Sequence, residues 1–333
     1  MVQSQQPTIW GLGIAFTILA TAAVVLRFKA RRITGQKLGS DDWTILAALI
    51  LAIGITIDIL IMTQRGGLGT HAQYNDDGDP LDPEAILVFG KTSYVLEVMT
   101  CPAVGLTKIS VLLMYKRIFT TRLFKTMVWI LAVLVIVWTA SFTFALIFSC
   151  TPIASQWDFS IEFTCVDQVA LMVTLMATDV ATDVMILLLP IYKTSQLQMP
   201  LTRKIQVIGI FLLGGLVSIV GIIRIHFGTQ VFNVLDSSPA ADTTWLYAPL
   251  FYWTIVETHV GVLCACLPAL RPVQEYTTYF FSYTRLRNSL THLVSSSSSK
   301  SSDVSLGSME EGMAVDRNEI PSGSEQPRAF RRF

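Results

Sequence analysis

Residues 85–119 read AILVFGKTSYVLEVMTCPAVGLTKISVLLMYKRIF, and this stretch decides the fold. It is long and apolar enough to cross a bilayer as a helix, which takes about 20 residues. Yet it carries Lys91, Glu97 and Lys108. Charged side chains at membrane depth are costly and usually face a bundle interior or an aqueous cavity. We therefore predict that this helix is the polar centre of a helical membrane bundle. Since it is longer than the bilayer core, we expect it to tilt, kink at Pro102 or protrude.

The composition supports a membrane protein. Hydrophobic residues make up 52% of the chain and charged residues only 14%, whereas a soluble domain has about 25% charged residues. The formal net charge is zero, so we expect the lipid bilayer, and no nucleic acid, as a partner. The cysteines include no CxxC pair, which argues against a zinc or redox module. We expect neither a metal nor a cofactor.

Further apolar stretches bring the number of predicted spans to seven. A short N-terminal segment, residues 1–8, precedes the membrane domain, residues 9–272. Ser, Glu, Gly and Pro dominate residues 273–333, which we expect to form a disordered cytoplasmic tail. The fold class is thus an all-α bundle, with spans at Ile9–Leu26, Trp43–Met62, Ala85–Tyr115, Met127–Phe148, Val169–Ile191, Ile205–Phe227 and Trp245–Leu270.

Lysine and arginine concentrate in alternate connections between the spans. The connections after the first, third and fifth spans carry five, four and three cations. The segment before the first span and the connections after the second, fourth and sixth spans carry none or one. Because positive residues mark the cytoplasmic side, we predict that the N-terminus lies outside and the C-terminus inside.

Several ionisable residues fall inside the predicted spans. Lys108 and Asp183 lie at similar distances from the inner ends of the third and fifth spans, so a buried ion pair between them is feasible. Glu97, Asp179 and Glu257 lie near mid-membrane with no obvious cation at their level. Two cations on the third and sixth spans lie nearer the outer ends, where we expect them to snorkel to the surface: Lys91 and Arg224.

These carboxyl groups allow two interpretations of equal weight. They are neutral and hydrogen-bonded between helices, or they face a cavity that accepts a proton, a cation or a polar ligand. On the second interpretation the candidate ligand-binding residues are Glu97, Lys108, Asp179, Asp183 and Glu257. The intramembrane histidines, His226 and His259, are assigned structural roles, because a metal site needs three or four convergent ligands.

Cys150 and Cys165 flank the connection between the fourth and fifth spans. The predicted topology places this connection outside, in an oxidising compartment, so we predict a disulfide between them. The alternative is two free thiols near the membrane surface.

Five segments of the chain resemble a known family. They are RFKARRITGQKLGSDDW (27–43), KISVLLMYKRIF (108–119), CTPIASQWDFSIEFTC (150–165), DVMILLLPIYKTSQLQMPLTRK (183–204) and ETHVGVLCACLPALRP (257–272). Together they resemble the fungal rhodopsin-domain membrane proteins, relatives of the PTH-type receptor-like proteins of filamentous ascomycetes. The resemblance covers about residues 9–272 and implies a seven-helix integral membrane protein. It does not extend to retinal binding, since Trp245–Leu270 contains no lysine for a Schiff base.

The resemblance and the residues leave three functional hypotheses. Some family members are receptor-like, so the first is a seven-helix receptor for a small or lipophilic ligand, with a cytoplasmic signalling partner on the basic loops and tail. Others lie in secondary-metabolite gene clusters, so the second is a membrane enzyme or accessory protein that uses buried carboxyl groups. A transporter is the third, although no inverted repeat is visible. We expect the plasma membrane or another endomembrane as the location.

Overall fold

The computed structural model describes residues 4–71, 82–119, 121–158, 161–162, 164–195, 201–237 and 242–268. The predicted tail, residues 273–333, lies outside these described residues. Within them the chain forms seven helices that are long and apolar enough to span a bilayer, which confirms the predicted seven-helix membrane bundle. Which side of the membrane each terminus faces stays a prediction. The helices are α1 Gln6–Ile33, α2 Ser40–Arg65, α3 Pro83–Ile118, α4 Arg122–Ile147, α5 Gln168–Ser195, α6 Leu201–Ser237 and α7 Thr243–Pro268, the last interrupted at Tyr247.

The helices extend beyond the apolar spans that predicted them. Helix α1 continues through the basic residues after Leu26 and ends before Gly35, which has a positive φ of 63°. The fifth predicted span ends at Ile191, whereas α5 continues through Pro190 to Ser195. Apolarity marks the part of a helix that crosses the bilayer, whereas the helix itself ends where a cap or a left-handed residue stops it. Sequence hydropathy therefore predicts the number of helices better than their ends.

Local capping explains where two helices begin. The N-cap of α2 is Gly39, and its N–H donates to the Asp42 carboxylate at 3.0 Å. At α3 the Asp82 carboxylate accepts the N–H of Ala85 at 3.2 Å. Both carboxylates lie where the helix dipole is positive, so each stabilises its helix start.

Helices α3 and α7 form the centre of the bundle. In the most apolar part of each helix, 67% of the residues of α7 and 56% of those of α3 are buried, compared with 17% of those of α4. Helix α3 packs against α2, α4 and α5. Its approach to α4 is close because Gly105 faces Thr139 without a side chain of its own. A central α3 gives its ionisable side chains other helices, rather than lipid, as neighbours.

A short disulfide-bonded hairpin covers one end of the bundle. Strand β1, Cys150–Thr151, pairs antiparallel with β2, Thr164–Cys165. The disulfide between Cys150 and Cys165 is present, which confirms the prediction. The Trp157 ring packs against the Tyr94 ring of α3 with centroids 5.6 Å apart. We call this end of the bundle the disulfide end, and the opposite end, with the connections α1–α2 and α3–α4, the basic end.

Candidate functional site

The ammonium group of Lys108 lies at the centre of a buried ion cluster between α3 and α5. Its Nζ is 2.8 Å from Oδ1 of Asp179 and 3.1 Å from Oδ1 of Asp183. It also donates to Oγ1 of Thr182 at 2.6 Å and to the backbone carbonyl of Asp179 at 2.7 Å. The structure thus contains the Lys108–Asp183 pair expected from helix depth. The expectation that Asp179 has no cation at its level was wrong, since Asp179 shares the same ammonium.

The spacing on α5 explains why both carboxylates reach one lysine. Asp179 and Asp183 are four residues apart, so they project from the same face of the helix. From α4, the Trp138 ring lies under the ammonium, 5.2 Å from Nζ of Lys108 to the ring centroid. The indole Nε1 of Trp138 donates to Oγ1 of Thr178 at 2.8 Å. One buried cation therefore connects α3, α4 and α5.

A second buried ion pair joins α6 and α7. Nη1 of Arg224 contacts Oε2 of Glu257, and both side chains are less than a tenth exposed. The expectation that Arg224 snorkels to the outer surface was wrong, as was the expectation that Glu257 lacks a cation. Helix α6 continues to Ser237, so Arg224 lies well inside the helix rather than near its end. Gly221 of α6 lies close to α5, because a Cβ there would come within 2.8 Å of Cγ2 of Val180.

The Lys108 cluster and Glu257 border one cavity. Its volume is about 80 Å³, and α3, α5, α6 and α7 line it. Since one buried water needs about 10–15 Å³, the cavity has room for several waters or a small ligand. Four of the five predicted site residues lie in its wall together: Lys108, Asp179, Asp183 and Glu257. The rest of the wall is largely apolar, as in Val111, Ile186 and Val217.

Glu97 is the predicted site residue that the structure does not bring to this cavity. It lies on α3 about three turns from Lys108, toward the disulfide end, and is partly exposed. Sequence reasoning also missed Asp58, an acid within the apolar stretch of α2. Its Oδ2 is buried without a hydrogen-bond partner among the described residues. A lone acid in an apolar run was the signal that could have found it.

His259 joins three helices in the bundle interior. It is fully buried on α7, and its Nδ1 is 2.8 Å from the backbone carbonyl of Ile255. Its Nε2 is 3.2 Å from Oγ1 of Thr17 on α1 and 3.5 Å from Oγ1 of Thr56 on α2. In the described parts of the chain, no three His, Cys, Asp or Glu side chains converge as a metal site requires.

A further buried ion network lies at the basic end, away from the cavity. Sequence reasoning missed it. Arg27 of α1 is fully buried. Its Nε donates to Asp42 at 2.7 Å and its Nη2 to Asp41 at 2.6 Å, both on α2. Its Nη1 donates to the backbone carbonyl of Ala265 on α7 at 2.7 Å. The planar guanidinium thus uses its fixed fork of donors to bind two carboxylates and a third helix.

Neighbouring side chains extend this network to α3. Nη2 of Arg31 lies 2.9 Å from Oδ2 of Asp41, and Ser110 of α3 donates to the backbone carbonyl of Asp41 at 2.7 Å. The sequence predicted only a basic connection here. The signal that was missed is that Arg27 and Arg31 are four residues apart, on one helix face, and that two adjacent acids follow them.

Comparison with known proteins gives a consistent set of relatives. The family described as the fungal rhodopsin domain matches residues 26–276. The chain is 30% identical over 271 residues to the "Polyenoic acids biosynthesis gene cluster protein Ba17b" of Metarhizium anisopliae, covering 78% of this chain and 71% of that protein. It is 27% identical to the "Phomoidride biosynthesis cluster protein H" of a fungal species, covering 82% and 90%. It is 26% identical to the "Receptor GIN3" of Arthrobotrys oligospora, covering 80% and 62%.

Proposed function

The chain belongs to the fungal rhodopsin domain family, and we propose that it is a receptor-like membrane protein that senses a small or lipophilic ligand. The observation that carries this proposal is the cavity between α3, α5, α6 and α7. Ligand sites are typically concave, mostly apolar and equipped with a few convergent polar groups. This cavity combines apolar walls with Lys108, Asp183 and Glu257. One relative, which is similar to this chain over 270 residues, is named a receptor.

The position of the cavity also supports a coupled response at the basic end. Helices α3 and α7 both line the cavity. Both also reach the Arg27 network, α3 through Ser110 and α7 through the carbonyl of Ala265. A ligand shifts a conformational equilibrium only if it binds the two states differently. A ligand that changes the spacing of α3 and α7 would change these hydrogen bonds, and we propose that the signalling partner binds there, on the basic loops.

A cavity-filling variant tests the proposal. Val217→Trp should occupy the cavity, whereas Ile219→Trp, two residues along α6 and 57% exposed, should place the same ring outward. We propose to express each variant in the fungus that carries the gene. The measurement is the change in its transcript levels when an extract of its own culture is added. Loss of the response in Val217→Trp but not in Ile219→Trp, at equal membrane levels, would support sensing in the cavity. An unchanged response in Val217→Trp would rule out this cavity as the sensor.

A second candidate function is a membrane enzyme or accessory protein of secondary metabolism. It is favoured by two relatives whose names place them in biosynthesis clusters. Under this proposal the buried carboxyls of Asp183 and Glu257 act on a lipophilic metabolite. Deletion of the gene should then make a precursor accumulate, and chains with Asp183→Asn or Glu257→Gln should fail to restore the product. If those variants restore the product fully, these carboxyls have no catalytic role. We propose the plasma membrane or another endomembrane as the location.

A further inference from the structure

Among the residues that the structure describes, the ionised side chains around the cavity do not sum to zero charge. Three carboxyl groups lie in its wall, those of Asp179, Asp183 and Glu257. Two cations oppose them, Lys108 and Arg224. Fully ionised, these groups carry −3 and +2, a net charge of −1. A buried charge without compensation is costly, so this site favours an additional positive charge over a negative one.

The hydrogen bonds point to Asp183 as the carboxylate with spare capacity. An ammonium has three protons to donate. Nζ of Lys108 has four acceptors within 3.1 Å, and the Asp183 oxygen is the most distant of them. A carboxylate accepts about four hydrogen bonds. Among the described residues, the contact with Lys108 is the ion pair that Asp183 makes, and its side chain lines the cavity.

The remaining wall sets the chemistry of the rest of the ligand. Beyond the ion pairs the cavity is bordered by Val111, Ile186, Leu187 and Val217. An alkali cation would use only the charge of the site and leave these apolar walls facing water. An organic ammonium uses both, because its N–H groups donate to a carboxylate while its carbon skeleton displaces water from the walls.

We propose that the cavity binds a small lipophilic amine, in its protonated form, through the carboxylate of Asp183. This inference rests on the proposed ligand-sensing function and names the class of ligand. Lys108 remains on Asp179 and Thr182, and the ammonium of the ligand takes the free acceptor positions of Asp183. The additional positive charge brings the described cluster to neutrality.

Three probes of one size and different charge test the inference. They are 2-phenylethylamine, 2-phenylethanol and phenylacetate, added to the purified full chain in lipid nanodiscs, with binding measured by calorimetry and by the thermal unfolding midpoint. We expect saturable binding of the amine at least tenfold tighter than that of the alcohol, and none of the carboxylate. Equal binding of amine and alcohol would overturn the amine assignment while leaving a ligand cavity. No binding of the amine at 10 mM would overturn it as well.

Variants locate the binding. Asp183→Asn keeps the shape and removes the excess charge, so it should weaken amine binding tenfold or more. Glu97→Gln removes an intramembrane carboxyl outside the cavity and should leave amine binding unchanged. If Asp183→Asn does not fold, Val217→Trp, which changes no charge, should abolish amine binding instead. An equal loss in Glu97→Gln, or retention in both cavity variants, contradicts the proposal.

A sodium ion is the alternative ligand for this cavity, and a separate experiment tests for it. The unfolding midpoint is measured in sodium chloride and in choline chloride at equal ionic strength, because the quaternary ammonium of choline has no N–H to donate. We expect the same midpoint in both. A sodium-dependent midpoint that disappears in Asp183→Asn would assign the excess charge to a metal ion and overturn the amine proposal. The transcriptional response to the culture extract stays a separate readout, so a receptor for a neutral ligand would still be recognised.

Discussion

Nη1 of Arg27 on α1 donates to the backbone carbonyl of Ala265 on α7 across 2.7 Å. These residues are 238 positions apart in the chain, and the same guanidinium also binds Asp41 and Asp42 of α2. Arg27 thus gives this carbonyl of α7 a hydrogen-bond donor from another helix. The first and last described helices are thereby joined at the basic end.

Removing this guanidinium should destabilise the bundle. Arg27→Met leaves Asp41 and Asp42 buried with one fewer cation, and breaking a buried ion pair costs about 3–5 kcal/mol in soluble proteins. Arg32→Met is the matched control, because Arg32 is an exposed arginine of the same helix. Thermal unfolding of purified protein should show a large decrease of the midpoint for Arg27→Met alone. Equal midpoints for the two variants would contradict a structural role of Arg27.

The Lys108 cluster should show strong coupling among its members. Lys108→Met leaves two carboxylates facing each other without a cation, so it should lower the folded yield in mild detergent more than Asp183→Asn does. Adding Asp183→Asn and Asp179→Asn to Lys108→Met removes those charges and should recover much of the yield. Yield is measured by fluorescence-detected size exclusion. If the triple variant is as poor as the sum of the single variants, the three residues act independently.

Close packing of α3 on α4 predicts a steric effect at Gly105. A Cβ built there would lie 2.8 Å from Cγ2 and 3.0 Å from Cβ of Thr139, so Gly105→Ala overpacks the interface and should cost about 1–3 kcal/mol. A Cβ at Gly215 on α6 would meet nothing within 4 Å, so Gly215→Ala is the control. Thr139→Ala removes Cγ2 but keeps the Cβ at 3.0 Å, so it should rescue Gly105→Ala in part in thermal unfolding. A failure of that rescue would place the clash elsewhere.

The disulfide should stabilise the hairpin at the disulfide end. It closes a loop with a sequence separation of 15, and cross-linking a loop of this size contributes about 3 kcal/mol in the chain-entropy model. Replacing both Cys150 and Cys165 by Ser should lower the unfolding midpoint, and reductant should lower the wild-type midpoint to the same value. A reductant effect of equal size in the double-serine variant would mean that this bond is not its target.

The predicted sidedness of the bundle has a direct test. An epitope tag after Gln3 should be reached by antibody on intact protoplasts expressing the protein at the cell surface, because the basic loops mark the cytoplasmic side. A tag after Phe333 should be reached only after permeabilisation. The reverse pattern would overturn the predicted topology. For protein retained in internal membranes, protease protection of the same tags in sealed vesicles gives the equivalent result.

Sequence reasoning predicted the helices more reliably than their partners. The seven spans follow from apolar length, a property that each segment carries by itself. The Lys108–Asp183 contact was accessible because both residues lie at a similar depth measured from clear basic ends. The Arg224–Glu257 pair was not accessible, because α6 continues to Ser237, well beyond the apolar span. The depth of Arg224 in the membrane was therefore measured from the wrong end of its helix.

The Arg27 network was missed for a different physical reason. A cation directly after an apolar span is the ordinary signature of a cytoplasmic flank, and acids at a helix start are ordinary capping residues. Each residue has a sufficient local explanation. Only the folded arrangement shows that Arg27 and Asp42 are fully buried and bound to each other. Such residues have only a local role, or form a tertiary contact, depending on which helices pack together. The hydropathy of the sequence does not contain that information.

The burial of α7 has a consequence for how the protein is made. It is the most buried of the seven spans, at 67% of its window, yet it follows the other six in the chain and so leaves the ribosome after them. Until it enters the membrane, Arg27 lacks its carbonyl acceptor, and Thr17 and Thr56 lack the imidazole of His259. The earlier helices therefore lack these contacts to α7 until it is in place, although Arg27 still has Asp41 and Asp42, and Thr56 still donates to the carbonyl of Ala52. We expect a chain that stops before α7 to form a less stable bundle for this reason.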